Sequence, residues 1–255
     1  MKKVICALAS AALLFACTPE NQDGKPVRDK YGVDGVTPLP EAVDIGMVVD
    51  GKIIKWASFN LGAGREYEYG DYYAWGETAA KQDYSWATYA HANGQFNKLT
   101  DYCPKEQTGY WDSTVKPRGP DGETTLLPSD DVAQVKLGGK WRMPTVDELK
   151  ALLELKTNKN YTWEDWALVK DARGNVVRGL RITRISTRAS LFFPAAGYCE
   201  GTDLGKAAGT WGYYWSSSLS SPGPGSAFYM FLGSENSGMA TLNRSNGFQV
   251  RPVTE

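Results

Sequence analysis

Lys140-Trp141-Arg142-Met143-Pro144-Thr145-Val146-Asp147-Glu148-Leu149, continued by Lys150-Ala151-Leu152-Leu153, is the stretch from which the fold is read. Thr145 and Glu148 have capping-box spacing: the threonine hydroxyl takes the N–H three residues on, and the glutamate reaches back to the cap. Val146, Leu149, Leu152 and Leu153 then share one apolar face, which predicts an amphipathic helix laid against a core. Upstream, Ser129 is placed to cap a short helix through Asp130, Asp131, Val132 and Val135, ended by Gly138-Gly139. Outward from these two helices the chain reads as strand and loop. Met47-Val48-Val49 and Lys52-Ile53-Ile54-Lys55-Trp56 flank Asp50-Gly51, a tight-hairpin signal. Ala167-Leu168-Val169 and Val176-Val177 flank 171–175 as another hairpin, and 179–185 alternates as a strand. Short apolar runs at 191–198, 212–217, 227–232 and 247–253 are separated by Gly, Ser, Asn and Pro, as in a twisted antiparallel sheet. Glu164 and Asp165, between Trp163 and Trp166, read as a helix start. The expectation is an α+β domain with short twisted antiparallel sheets, two main helices and long ordered loops, with 84–122 a long surface excursion and the least ordered part.

Charge and composition narrow the function. The 255 residues carry 28 Lys+Arg against 29 Asp+Glu, a net charge of -1, which leaves no electrostatic footprint for nucleic acid. A single His argues against imidazole catalysis and multi-His metal sites. With 9 Trp, 14 Tyr, 8 Phe and 27 Gly, a few large side chains must fill a loop-rich core or line a binding surface.

The N-terminus reads as an address. Lys2 and Lys3 precede an apolar run over 4–16 that is too short to span a bilayer and the right length for a secretory signal core. Leu14-Phe15-Ala16-Cys17 resembles the bacterial lipobox, which implies a signal peptide over 1–16, lipidation of Cys17 and attachment to the cell outer membrane. The same lipid serves a periplasmic or a surface-exposed protein. Residues 17–41 hold Pro19, Pro26, Pro38 and Pro40 and read as a flexible tether, so the folded domain is expected over 42–255. An exported compartment permits Cys103 and Cys199 to form a disulfide; the alternative is two buried thiols, because geometry decides.

Four segments in order now carry a family likeness: Gly70-Asp71-Tyr72-Tyr73-Ala74-Trp75-Gly76-Glu77, then 140–149, then Tyr214-Trp215-Ser216-Ser217-Ser218, then Gly247-Phe248-Gln249-Val250-Arg251-Pro252-Val253. Together they resemble the Fibrobacter succinogenes major paralogous domain of exported bacterial lipoproteins. Arg142-Met143-Pro144-Thr145 with Glu148, and the closing Val250-Arg251, are also similar to the formylglycine-generating, sulfatase-modifying superfamily, which implies a C-type lectin-like fold. The oxidase chemistry of that superfamily needs a late cysteine pair, and no cysteine follows Cys199. The calcium-binding tripeptides of sugar-binding lectins are absent too, so no cofactor is implied; a structural calcium ion held by scattered oxygens stays open. The last fifty residues are similar to the variable ends of proteins diversified by retroelements, where Ser, Tyr and Asn abound; Ser218, Ser220, Ser221, Ser234 and Ser237 fit that bias. These resemblances imply a non-enzymatic, lipid-anchored binding protein whose C-terminal loops meet a glycan or protein ligand. The implied contact set is Tyr213, Tyr229, Glu235, Asn236, Asn243 and Ser245. A surface-glycan-processing enzyme and a structural appendage subunit are the competing readings.

The chemistry-bearing residues divide between these readings. His91 has no Gly-x-Ser-x-Gly elbow to serve and reads as a surface histidine. Glu77, Asp71, Glu148, Glu164 and Asp165 are the carboxylates from which a glycosidase pair would be drawn. Trp211, Tyr213, Tyr214 and Trp215 could stack on sugar rings; strand alternation sets Tyr214 on the opposite face from the other three, and Trp215 is assigned to the core. Arg251 reads as a buried, hydrogen-bonded structural residue.

Overall fold

Asp50 and Gly51 both adopt the left-handed region, with φ of 49° and 75°, the geometry a two-residue hairpin turn requires. They join β1 (Ala42–Val49) to β2 (Lys52–Ala57), and the far edge of β2 receives the last strand, here β11 (Val253–Thr254). The two ends of the domain therefore meet on one strand. The computed structural model describes residues 30–104, 109–114, 122–220 and 223–255. The expected signal segment, Cys17, tether residues 17–29, Pro117 to Pro120 in the long excursion, and Ser221 lie outside the described residues.

Between these ends the described residues form an α+β arrangement of small antiparallel sheets and two short helices. A second sheet has the order β3 (Tyr161–Lys170), β4 (Val176–Arg184), β5 (Ser190–Pro194). A small hairpin, β6 (Tyr198–Glu200) with β7 (Asp203–Lys206), precedes a third sheet. That sheet has β9 (Ser226–Leu232) at its centre, between β8 (Gly212–Leu219) and β10 (Ser237–Asn243). The short helices are α1 (Val132–Leu137) and α2 (Val146–Glu154).

Helix α2 forms as its sequence dictates. The Thr145 hydroxyl accepts from the Glu148 N–H, the Glu148 carboxylate accepts from the Thr145 N–H at 2.8 Å, and Arg142 grips the same carboxylate with two N–H groups at 2.8 and 2.6 Å. Leu149 and Leu152 enter a core with Ile45, Ile54, Trp56, Leu180, Ile182, Phe193, Tyr214 and Met230. A second core gathers Tyr73, Trp75, Tyr102 and α1 around Trp215, Phe248 and Val250.

Four sequence expectations need correction. The cap of α1 is Asp131, not Ser129: its Oδ1 accepts from Ala133 and Gln134 and its Oδ2 from the Met143 N–H, a long-range partner that a serine could not also serve. Glu164 and Asp165 do not start a helix but lie in β3 at a bulge, where pairing with β4 shifts register between Glu164 and Ala167. The hairpin strand at 176–177 and the strand at 179–185 are one continuous β4, ending at Arg184. Residues 30–41 are not a free tether: Asp34 donates its N–H to the Lys136 carbonyl, and its carboxylate accepts from Thr37, so the chain docks on the end of α1 before β1 begins. Trp215 is fully buried, as assigned, with its indole N–H on the Tyr73 carbonyl. Tyr214, on the opposite face, is equally buried, because that face packs on α2 and the first core.

Candidate functional site

The third sheet has one face on the core and one that is only half covered. Register sets Tyr213 opposite Phe231 and Trp215 opposite Tyr229, while Gly238 and Ala240 of β10 lie opposite Phe231 and Tyr229. Alternation therefore collects Trp211, Tyr213, Phe231 and Tyr229 on one side. The glycines explain how the rings lie. A Cβ on Gly238 would come within 2.9 Å of the Phe231 ring, and one on Gly233 within 2.5 Å of the Trp211 ring, so both rings rest against bare backbone.

Tyr198, from β6, completes the row. Its ring is 4.8 Å from Tyr213, which is in turn 5.5 Å from Tyr229 with an interplanar angle of 33°, and Trp211 lies 6.3 Å from Phe231. Beneath them Phe248 stacks on Trp215 at 4.1 Å and fixes the floor. Tyr198, Tyr213, Phe231 and Trp211 are partly exposed. Burial, followed by the neighbouring Tyr229 and Tyr198 hydroxyls, pushes the Tyr213 pKa up to about 12, so the phenol stays protonated and can donate a hydrogen bond at neutral pH. Among the described residues no group hydrogen-bonds the Tyr213 or Tyr229 hydroxyl. At the rim, Lys206 pairs with Glu200 at 2.7 Å and stands 5.5 Å from the centre of the Tyr198 ring. Partly exposed rings with hydroxyls at their edges suit a ligand that is apolar on its faces and polar around its rim.

The six residues expected to touch ligand are not brought together as a set. Tyr213 and Tyr229 meet on the shelf, although Tyr229 is only 8% exposed and offers an edge. Glu235 and Asn236 are exposed in the turn between β9 and β10. Asn243 is at the other end of β10, seven residues and roughly 24 Å away at about 3.4 Å per residue. Ser245 is buried, as is Ser220, so neither presents a side chain on the surface. Sequence reasoning missed Tyr198, Phe231 and Lys206; the available signal was the placement of Gly233 and Gly238 among aromatic residues.

The remaining candidates have other work. Glu77 accepts from Lys81 and from the Ala90 N–H, both at 2.8 Å. Asp71 accepts from the Tyr73 hydroxyl, and Asp165 from Lys156 and the Trp163 indole. His91 is not a freely exposed surface residue but a partly buried one: its side chain is 13% exposed and stands edge-on to the Tyr89 and Tyr102 rings. With Asp101 and Asp130 it brings three potential metal-ligand atoms within 4.8 Å of one another. The Cys103–Cys199 disulfide is not formed. Cys199 is a buried free thiol whose sulfur accepts from the Gly205 N–H at 3.4 Å, and burial raises its pKa. Arg251 is fully buried and structural, as its sequence context suggests. No helix among the described residues is long and apolar enough to cross a membrane.

A family model described as a domain of unknown function (DUF8237) matches residues 183–253, from the end of β4 into β11. No curated protein and no solved structure matches the chain.

Proposed function

We propose that this chain is a non-enzymatic binding protein of the C-type lectin-like, Fibrobacter succinogenes paralogous-domain kind, held at the outer membrane through Cys17, and that its aromatic shelf takes a glycan. The observation that carries the reading is the partly exposed row Tyr198, Tyr213, Phe231 and Trp211, in which strand register pairs Tyr213 with Phe231 and ring contacts add Tyr198 and Trp211. A pyranose ring offers apolar C–H faces to such rings and hydroxyls to the Tyr213 edge and the Lys206–Glu200 rim. The pairing of the first and last strands on β2 and the long loops between β2 and α1 support the lectin-like frame. The N-terminal resemblance to a lipobox supports the anchor.

A glycan array probed with the purified protein, followed by calorimetry on the best oligosaccharide, tests the reading. Replacing an aromatic anchor of this kind costs about 2 kcal/mol, or roughly thirtyfold in affinity. Tyr213→Ala should therefore lose that much while folding normally. An array on which nothing binds, or a Tyr213→Ala variant that binds equally well, refutes the proposal; retention of a protein from envelope extracts in place of any glycan assigns the shelf to a protein partner.

A further inference from the structure

We propose that His91, Asp101 and Asp130 form a binding site for a single zinc-class divalent ion, one that ties the 91–101 segment to the turn ahead of α1. His91 Nδ1 and a carboxylate oxygen from each aspartate lie within 4.8 Å of one another, all three residues partly exposed. The Nδ1 to Asp101 Oδ2 separation is 3.7 Å. That is too long for a hydrogen bond, which closes near 2.7–3.2 Å. It is close to the roughly 3.4 Å that separates two atoms bound tetrahedrally to one Zn²⁺ at about 2.1 Å. Asp130 supplies the third ligand atom, within 4.8 Å of the other two.

The surroundings are those of a ligand set. His91 Nε2 is 2.9 Å from the Gly76 carbonyl. A carbonyl only accepts, so Nε2 carries the proton and Nδ1 is the nitrogen aimed at the carboxylates. A second nitrogen fixed by a backbone carbonyl is the usual outer partner of a metal-bound histidine. The approach needs Gly76, because a Cβ there would stand 2.9 Å from Nε2. Asp130 has its own outer partner: it accepts from the Tyr102 hydroxyl, which accepts from the Leu127 N–H at 3.1 Å. Arg244 donates to the carbonyls of His91, Asp101 and Tyr102, so one guanidinium holds the backbone of both ligands on this segment. One nitrogen and two carboxylates suit Zn²⁺ better than Ca²⁺, which takes six to eight oxygens. Partial exposure leaves a fourth position for water and a path of entry.

The test is titration of the full chain, stripped with a chelator, with Zn²⁺ by calorimetry and with Co²⁺ by visible absorption. One ion per chain and the ligand-field bands of four-coordinate cobalt are expected. His91→Gln and, as a second variant, Asp130→Asn should each weaken binding at least about tenfold, while Asp147→Asn, an exposed carboxylate on α2 away from both sites, leaves it unchanged. No saturable binding to the folded wild type overturns the proposal. So does undiminished affinity in either ligand variant with native circular dichroism, or a cobalt spectrum dominated by thiolate charge transfer.

Discussion

Replacing Arg251 by methionine tests the energetic logic of the core directly. The guanidinium is fully buried and donates to Asn60 Oδ1 at 2.9 Å, the Ala57 carbonyl at 3.2 Å and the Phe192 carbonyl at 2.7 Å, with the Phe193 ring 4.4 Å away. Burial lowers its pKa from 12.5 to about 10, a penalty on the charged form of about 3 kcal/mol at about 1.4 kcal/mol per unit. Arg251→Met removes that penalty and keeps an apolar stem. It also strands three buried acceptors, at about 2 kcal/mol each, and loses a desolvated cation–π contact worth about 2 kcal/mol. The losses outweigh the relief by about 5 kcal/mol. In urea, with a slope of about 2 kcal/mol per molar for a domain of this size, the unfolding midpoint should fall by about 2.5 M. A midpoint within about 0.5 M of wild type would refute the claim that this arginine organises the core through its acceptors.

Two further outcomes follow from local geometry. Gly179 of β4 pairs with Pro194, and a Cβ there would stand 2.1 Å from the Phe193 carbonyl oxygen, a backbone atom that cannot swing away. Gly179→Ala should cost about 3 kcal/mol by overpacking, read as a lower urea midpoint; an unchanged midpoint would mean that β5 shifts freely. The Asp112 carboxyl is held down to about 2, first by the Thr114 hydroxyl and then by the Asn93 amide. Its folded-state pKa lies below the unfolded one of about 3.9, so its contribution is complete above that value and is lost as pH falls toward about 2. Asp112→Asn should flatten the pH dependence of stability in that window, and a superimposable profile would sink the assignment.

What could be read in the sequence was what local chemistry decides. The α2 capping box needs only Thr145 and Glu148, and the first hairpin needs only Asp50-Gly51; both form as written. The cap of α1 was not legible, because Ser129 and Asp131 are both capable and the choice falls to Met143, twelve residues from Asp131. The misread helix at Glu164 and Asp165 has the same origin: a bulge breaks the strand alternation, and only pairing with β4 reveals it. Tyr213 and Tyr229 stood out by residue type. Tyr198 joins them through a hairpin whose position on the third sheet has no signal in its own residues. His91 was misjudged for the converse reason. Its neighbours in sequence are small or polar, and the rings that stand edge-on to it, Tyr89 and Tyr102, include one that arrives from a loop eleven residues on.

The segment 244–253 ties the loops of this loop-rich chain to its third sheet. Backbone pairs join Phe248 to Tyr73, Gly247 to Cys199, Val250 to Leu61 and Gln249 to Tyr213 and Trp215, so loop and sheet meet along its length. At either end of this segment an arginine is buried to 0% exposure. Arg244 lies 5.3 Å from both the Trp75 and Tyr89 ring centres and binds the carbonyls of residues 91, 101 and 102; Arg251 binds those of 57 and 192. Irregular backbone has no ladder in which to satisfy its carbonyls, and a guanidinium supplies several donors from one rigid plane. Arg244 thus replaces regular structure in a loop that has none, while Arg251 joins the end of β2 to β5. The floor of the aromatic shelf, through Phe248, and the loop bearing His91, through Arg244, are held by the same ten residues. Those residues lie within the stretch that the family model covers.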